Sequence, residues 1–319
     1  MRRREGAGPV EPAGMQELAG RLFPGAGYRH VGEQAWRWCL ALDRPGECPT
    51  AVWEADGRVM AWGWLELPDE LVLQVDPAHP KLADEVLAWA ERRAYGPLVT
   101  EVAATEPHLV EALERRGWAS VADGEPFLEC LHRPLNALPA VPPLPPGYRI
   151  HPQPAKAAAA EAVAAKAAAA KAAAKAVAAD DAAEAVDAAA WATAHRAASG
   201  SAGVTAERLA RLRHTPPYRP ESDLAVRAPD GSVAAYCLGW LDEVNDVGAF
   251  GPVGTHPAHR RLGLARAVCT AVLHGFAAAG AYEAVVNARG DAAHPAPRRL
   301  YASLGFGPHT RTHTYRRHP

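Results

Sequence analysis

Apolar residues near the C-terminal end recur at helical spacing. Leu264, Val268, Val272, Leu273 and Phe276 predict a helix from Ala265 to Ala279. Just before it, Val253-Gly254-Thr255 reads as the end of a short apolar strand, turned at Pro257 and followed by the basic loop His259-Arg260-Arg261-Leu262-Gly263. Upstream, Leu224–Arg227 and Val233–Trp240 flank Asp230-Gly231, a hairpin pattern. The first half follows the same order. Helical patterning around Trp36–Leu42 is followed by Ala51–Ala55, the turn Asp56-Gly57 and Arg58–Trp64. A strand then runs from Leu71 to Val75, and after Pro77 a helix runs from about Lys81 to Ala94.

Asp56-Gly57-Arg58-Val59 with Gly63-Trp64 parallels Asp230-Gly231-Ser232-Val233 with Gly239-Trp240, so the halves read as two copies of one fold. On that alignment Val75-Asp76-Pro77 matches Thr255-His256-Pro257. Pro80 then falls at Arg260, Ala83 at Gly263 and Glu85 at Ala265. Ala112–Trp118 mirrors the segment Leu300–Phe306, with Leu113 at the place of Tyr301. The other reading of the first half is an unrelated α+β domain.

Residues 134–146 are proline-rich and predict an extended linker, which separates a first domain over 1–133 from a second over 147–319. Within the second, residues 155–190 are nearly all alanine, punctuated by Lys156, Glu161, Lys166, Lys171 and Lys175. Helix propensity there is high, but small side chains bury little apolar area, and the segment reads as a helical spacer. A shorter amphipathic helix is predicted from about Val204 to Leu212, with Thr205 as its N-cap.

The chain has 319 residues, enough for two ordinary domains, and a formal net charge of -2. That balance gives no reason to expect nucleic acid or an anionic membrane as a partner. Cys39, Cys48, Cys130, Cys237 and Cys269 show no C-x-x-C spacing, which gives no zinc signal and fits a reducing cytosol. Met1–Gly6 is basic without the apolar run of a signal peptide, and no stretch is apolar enough to span a bilayer. A cytoplasmic protein is expected.

A loop at a helix N-terminus presents unpaired N–H groups and the positive end of the helix dipole, which suits a phosphate. Gly263 lets backbone approach an anion, Ala265 is nearly as small, and Arg260 and Arg261 add charge. A solvated helix start with two surface arginines has the same pattern, and Val253-Gly254-Thr255 fits an ordinary strand as well.

The order of motifs narrows this choice. Arg260-x-x-Gly263-x-Ala265 after the Val-x-Thr-x-Pro strand end, with Leu300-Tyr301-Ala302-Ser303-Leu304-Gly305-Phe306 downstream, resembles the GCN5-related N-acetyltransferase (GNAT) family. The resemblance implies an α+β fold in an α/β three-layer arrangement. Tandem GNAT-like domains would each carry a mixed, mostly antiparallel twisted sheet flanked by helices, the first domain being degenerate. It implies an acetyl-CoA-dependent N-acetyltransferase, without metal, that moves the acetyl group to an amine acceptor by direct attack. Val253, Gly254 and Thr255 would pair with the pantetheine arm, and Arg260, Arg261, Leu262, Gly263, Leu264 and Ala265 would take the pyrophosphate. In the first half, Asp84 and Glu85 would repel such a group.

Tyr301 is the expected general acid. A phenol at about 10 can protonate a thiolate whose acid is near 8.5; packing against the sheet is its other reading. Two departures from the family pattern stand out. His294 lies where many relatives have an asparagine that contacts the cofactor or helps order the loop, a hydrogen bond that histidine can still donate, and Gly251 lies where a carboxylate base would be natural. Asp242, Glu243, Asp246 and His256 are the other base candidates, each also readable as a turn residue. In relatives the first helices of the domain border the acceptor channel, and here the alanine-rich run takes that place. The competing functional class is an acyl-CoA-binding protein or engineered scaffold with little or no turnover. A homodimer is among the assemblies left open.

Overall fold

The computed structural model describes residues 1–6, 12–23, 25, 27–41, 43, 44, 46–121, 127–152 and 168–318. Along the chain these form β1 (Arg2–Gly6), α1 (Ala13–Leu22), α2 (Val31–Ala41), β2 (Thr50–Ala55), β3 (Arg58–Glu66), β4 (Glu70–Val75), α3 (Lys81–Glu91), β5 (Leu98–Ala103), α4 (Pro107–Arg115), β6 (Ala119–Ser120) and β7 (Leu128–Pro134). There follow β8 (Arg149–Pro152), α5 (Ala168–Ser199), α6 (Ala206–Leu212), β9 (Asp223–Arg227), β10 (Val233–Asp242), β11 (Val247–Thr255), α7 (Leu264–Ala278), β12 (Glu283–Arg289), α8 (Pro295–Ser303) and β13 (Gly307–Arg317). The fold is α+β, a mixed sheet flanked by helices, as the resemblance implied.

Two compact units are present. The first holds Met1–Pro134, Leu241–Ala249 and Ala281–Pro319; the second holds Leu135–Trp240 and Phe250–Gly280. This differs from contiguous domains over 1–133 and 147–319. The physical reason is an exchange of strands. β13 pairs antiparallel with β5 over Thr312–Arg317, and β7 pairs antiparallel with β12 over Glu283–Arg289. Strand order in the first unit is β1-β2-β3-β4-β5-β13-β7-β12, with β6 beside β13. Each exchanged strand covers backbone that would otherwise be an open sheet edge.

The first unit is a three-layer sandwich. Trp53, Leu65, Leu73 and Val75 pack one sheet face against Val86, Trp89 and Leu113 of α3 and α4. The other face packs Val52, Trp62, Trp64 and Val72 against Met15, Leu18 and Leu22 of α1. In the second unit β8, β9 and β10 run antiparallel, with β11 beside β10. Every residue of β10 is buried. Its neighbours Tyr236 and Gly239, an odd number of residues apart, face opposite sides, one toward Trp191 of α5 and one toward Val272 and Phe276 of α7.

The repeat survives as local geometry, bond for bond. Asp76 N–H donates to Met60 O (2.8 Å), and His256 N–H donates to Ala234 O (2.9 Å). The Asp76 carboxylate accepts from Ala78 N at 2.9 Å, and His256 Nδ1 accepts from Ala258 N at 3.3 Å. A Cβ on Gly63 would meet Val86 and Trp89 at 2.9 Å, and one on Gly239 would meet Val272 and Phe276 at 2.7 Å. The repeated glycine therefore marks where each crossover helix presses onto its strand. Trp118 N–H donates to Leu113 O (2.9 Å) as Phe306 N–H donates to Tyr301 O (3.0 Å).

The alanine-rich segment departs from the spacer reading in its last part. Residues 155–167 lie outside the described ones, and α5 covers the rest. Glu184, Asp187, Ala188, Trp191 and His195 are buried on one face of α5. Asp187 is salt-bridged to Arg213 at 2.9 Å and also to Arg227. Thr205 caps α6 as expected, its hydroxyl accepting from Arg208 N. From Leu135 to Tyr148 the linker has neither helix nor strand, and its Pro139 O contacts His274 Nε2 at 2.9 Å.

Candidate functional site

In the second unit the site is built where β11 ends and α7 begins. The parallel ladder between β11 and β12 covers Val247–Ala249 against Glu283–Val285. β11 nevertheless runs on to Thr255 and β12 to Arg289. Beyond Ala249, Trp240 Nε1 donates to Gly251 O at 2.5 Å, which anchors the outgoing strand to β10. Val253, Gly254 and Thr255 are half-buried there.

Gly254 sits on Tyr236. A Cβ at this position would be 2.2 Å from the Tyr236 hydroxyl. That hydroxyl lies 2.9 Å from His195 Nδ1, and the imidazole stacks on Trp191 with 8° between the planes. Burial lowers the His195 pKa to about 4, helped by neighbouring Arg196. The ring is neutral at pH 7. Burial likewise pushes the Tyr236 hydroxyl well above the usual phenol range. The sequence reading missed this trio. β10 is buried on both faces and shows no period-2 alternation, and Trp191 and His195 follow an alanine run that masks their helical stripe.

The loop itself has two left-handed residues around Leu262: Arg261 at φ 66° and Gly263 at φ 76°. They turn the chain so that Gly263 becomes the residue preceding α7, with no side chain capping the helix and no acid in its first turn. Open space surrounds the position a Gly263 Cβ would take, and Leu262 is exposed. The first N–H groups of α7, from Leu264 and Ala265 onward, have no side-chain cap and carry the positive end of the dipole. Arg260 lies on the exposed rim, its guanidinium making long contacts to Thr255 O (3.5 Å) and Ala198 O (3.4 Å). His259 Nδ1 lies 3.0 Å from the Tyr148 hydroxyl.

The equivalent place in the first unit has a different character. Pro80 precedes α3 in ordinary right-handed geometry. Asp84 pairs with Arg115 at 2.9 Å, and Glu85 accepts from Trp53 Nε1 at 2.9 Å. The acids expected to repel an anion are present at this helix start and built into the surrounding structure.

Tyr301 lies in the first unit on α8, and His294 lies just before that helix. Tyr301 is buried, with its ring edge-on to Phe306 at 5.8 Å between centroids. His294 precedes Pro295 as the N-cap residue of α8, and its Nδ1 is 3.4 Å from Asp291 Oδ1. Among the base candidates, Asp242 is the buried last residue of β10 and caps the turn that follows. Its Oδ1 accepts from Val244 N and Asn245 N, and its Oδ2 from Asn245 Nδ2. Asp246 occupies the same turn at φ 51°. His256 spends Nδ1 on Ala258 N. Among the described residues no three His, Cys, Asp or Glu side chains are grouped to hold a metal ion, and no helix is long and apolar enough to cross a membrane.

Residues 189–306 match the acetyltransferase (GNAT) family model. The whole chain is similar in fold to a GCN5-related N-acetyltransferase from Sphaerobacter thermophilus, at 19% identity and TM-score 0.57, covering 99% of this chain and 95% of that one. It is also similar to a tandem GNAT protein from the clavulanic acid biosynthesis pathway, at 14% identity and TM-score 0.62, covering 99% and 98%. A GNAT-family acetyltransferase from Colwellia psychrerythraea matches at 11% identity and TM-score 0.58, covering 99% of each chain. At these identities the likeness is one of fold. No curated protein matches the sequence.

Proposed function

We propose that the chain is an acetyl-CoA-dependent N-acetyltransferase that moves an acetyl group to a primary amine by direct attack. The observation that carries this reading is the open, left-handed entry to α7, which lies inside the segment matching the family. Backbone N–H groups from Gly263 to Ala265, with Arg261 and Arg260 beside them, would hold the pyrophosphate. Val253, Gly254 and Thr255 would pair with the pantetheine arm. The amine nitrogen attacks the thioester carbonyl, a C–N bond forms, the C–S bond breaks, and the amine loses a proton. Tyr301 would give the departing thiolate its proton, and His294 would help order the loop before α8. All five cysteines are buried and none is in a disulfide, which favours a reducing, cytoplasmic compartment.

Calorimetric titration with acetyl-CoA, followed by thiol release against a panel of amines, tests the proposal. Binding with amine-dependent release is the expected result, and absence of binding overturns it. Binding without release for any amine favours the second reading, an acyl-CoA-binding protein. One observation speaks for that reading: Gly251 supplies no carboxylate where a base would be natural.

A further inference from the structure

The first unit does not repeat the site at α7. Asp84 and Glu85 stand at the start of α3, and His108 Nε2 lies 2.9 Å from the carbonyl oxygen of Val75, the last residue of β4. It has instead a cleft of about 440 Å³ between α2 and the starts of β4 and β5. Sites for small ligands span ~300–1,000 Å³. Parallel pairing of β4 with β5 covers only Glu70 with Val99 and Leu71 with Thr100. Leu71, Val99 and Leu128 give the cleft apolar surface. Around them stands charge of both signs: Arg29, Glu33 and Arg37 at intervals of four, facing Asp69, Glu70 and Glu101.

This charge is unevenly satisfied. Arg37 is shared among three carboxylates, pairing with Glu66 and lying 3.4 Å from Glu33 and 3.5 Å from Glu70. Arg29 pairs with Glu33, and its guanidinium lies over the Tyr28 ring, 4.7 Å from the centroid. Only 5% of the Arg29 side chain is exposed, yet its Nε has no hydrogen-bond partner among the described residues. A buried donor without an acceptor is costly. Glu101 is the complementary case. Among the described residues no ion pair holds its carboxylate, and burial raises its pKa while the charge of Arg29 acts the other way. The two groups therefore act on each other through space without pairing, as groups do that a ligand could bridge.

We propose that this cleft binds a small zwitterion, an α-amino acid with an apolar side chain. Its carboxylate accepts from Arg29, its ammonium faces Glu101, and its side chain lies against Leu71, Val99 and Leu128. The site uses residues of the first unit alone and is independent of the acetyltransferase reading. A plain anion would meet Asp69, Glu70 and Glu101, and a plain cation would leave Arg29 Nε without an acceptor. A zwitterion answers both.

The test is calorimetric titration of the full chain, without acetyl-CoA, with L-phenylalanine as the probe. 3-Phenylpropionate lacks the ammonium and 2-phenylethylamine lacks the carboxylate, so each should bind about tenfold more weakly or worse. Glu101→Gln should weaken L-phenylalanine by about tenfold and leave 3-phenylpropionate unchanged. Arg29→Lys keeps the charge and removes the guanidinium donors. It should weaken L-phenylalanine and 3-phenylpropionate and leave 2-phenylethylamine unchanged. Should Arg29→Lys fail to fold, the gap between L-phenylalanine and 2-phenylethylamine in the parent chain reads the same contact. No binding of L-phenylalanine, equal binding of either analogue, or L-phenylalanine affinity unaltered by Glu101→Gln overturns the proposal.

Discussion

Gly254 and Tyr236 are in such close contact that a Cβ on the glycine would stand 2.2 Å from the tyrosine hydroxyl. Neither can yield easily, because the hydroxyl is bonded to buried His195 and the strand is tied to β10 through Trp240. Gly254→Ala is expected to destabilise the protein by about 1–3 kcal/mol through overpacking. It should also weaken acetyl-CoA binding by shifting the Val253–Thr255 backbone. Chemical denaturation and calorimetry measure the two effects. An alanine variant with parental stability would mean that the strand is free to move off Tyr236.

Arg261 separates charge from backbone geometry in the proposed anion loop. Its φ of 66° costs a non-glycine residue about 1–2 kcal/mol, an amount that glycine's greater freedom in the unfolded chain largely offsets. Arg261→Gly should therefore leave the melting temperature nearly unchanged while acetyl-CoA affinity falls about tenfold. Equal affinity in the variant would place the pyrophosphate elsewhere.

Tyr301 is buried on α8 among Phe306 and the sheet. If it protonates the thiolate, Tyr301→Phe should lower kcat by about 100-fold or more with acetyl-CoA affinity nearly intact. The phenylalanine keeps the packing, so an unchanged kcat would reduce Tyr301 to a core residue.

His195 makes stability depend on pH with a definite sign. Its pKa falls from an ordinary 6.5 to about 4 on folding, so between those values the unfolded chain binds more protons than the native one. The stability contributed by the neutral, buried ring is present above pH 6.5. It is lost as the pH falls toward 4, by up to about 3 kcal/mol. Glu106, raised by burial to about 7, acts in the opposite direction over part of this range. The informative quantity is therefore the difference between the parent and His195→Gln in denaturation at pH 7 and pH 4.5. The parent should lose more stability than the variant on acidification, and parallel losses would show that the ring is not held neutral.

Much of the fold was legible in the residues. The turn pairs Asp56-Gly57 and Asp230-Gly231 between apolar runs mark two hairpins, and the spacing Leu264, Val268, Val272 marks α7, because turn chemistry and helical spacing are local. The repeated Gly-Trp pairs gave the two copies away, and the structure supplies the reason in the helix pressed onto each glycine. The Arg260–Ala265 loop was readable for the same local reason: a helix start and its preceding turn are encoded within a few residues.

The sequence by itself thus determined the local elements, the internal repeat and the basic entry to α7, since each depends on contacts between near neighbours in the chain. Tertiary structure alone decided the rest. It placed β13 between β5 and β7 and so redrew the boundary between the two units. It set Tyr236 beneath Gly254 and brought Arg29, Leu71 and Glu101 to one cleft. Those pairings join residues far apart in sequence, and only sheet register decides which side chains meet.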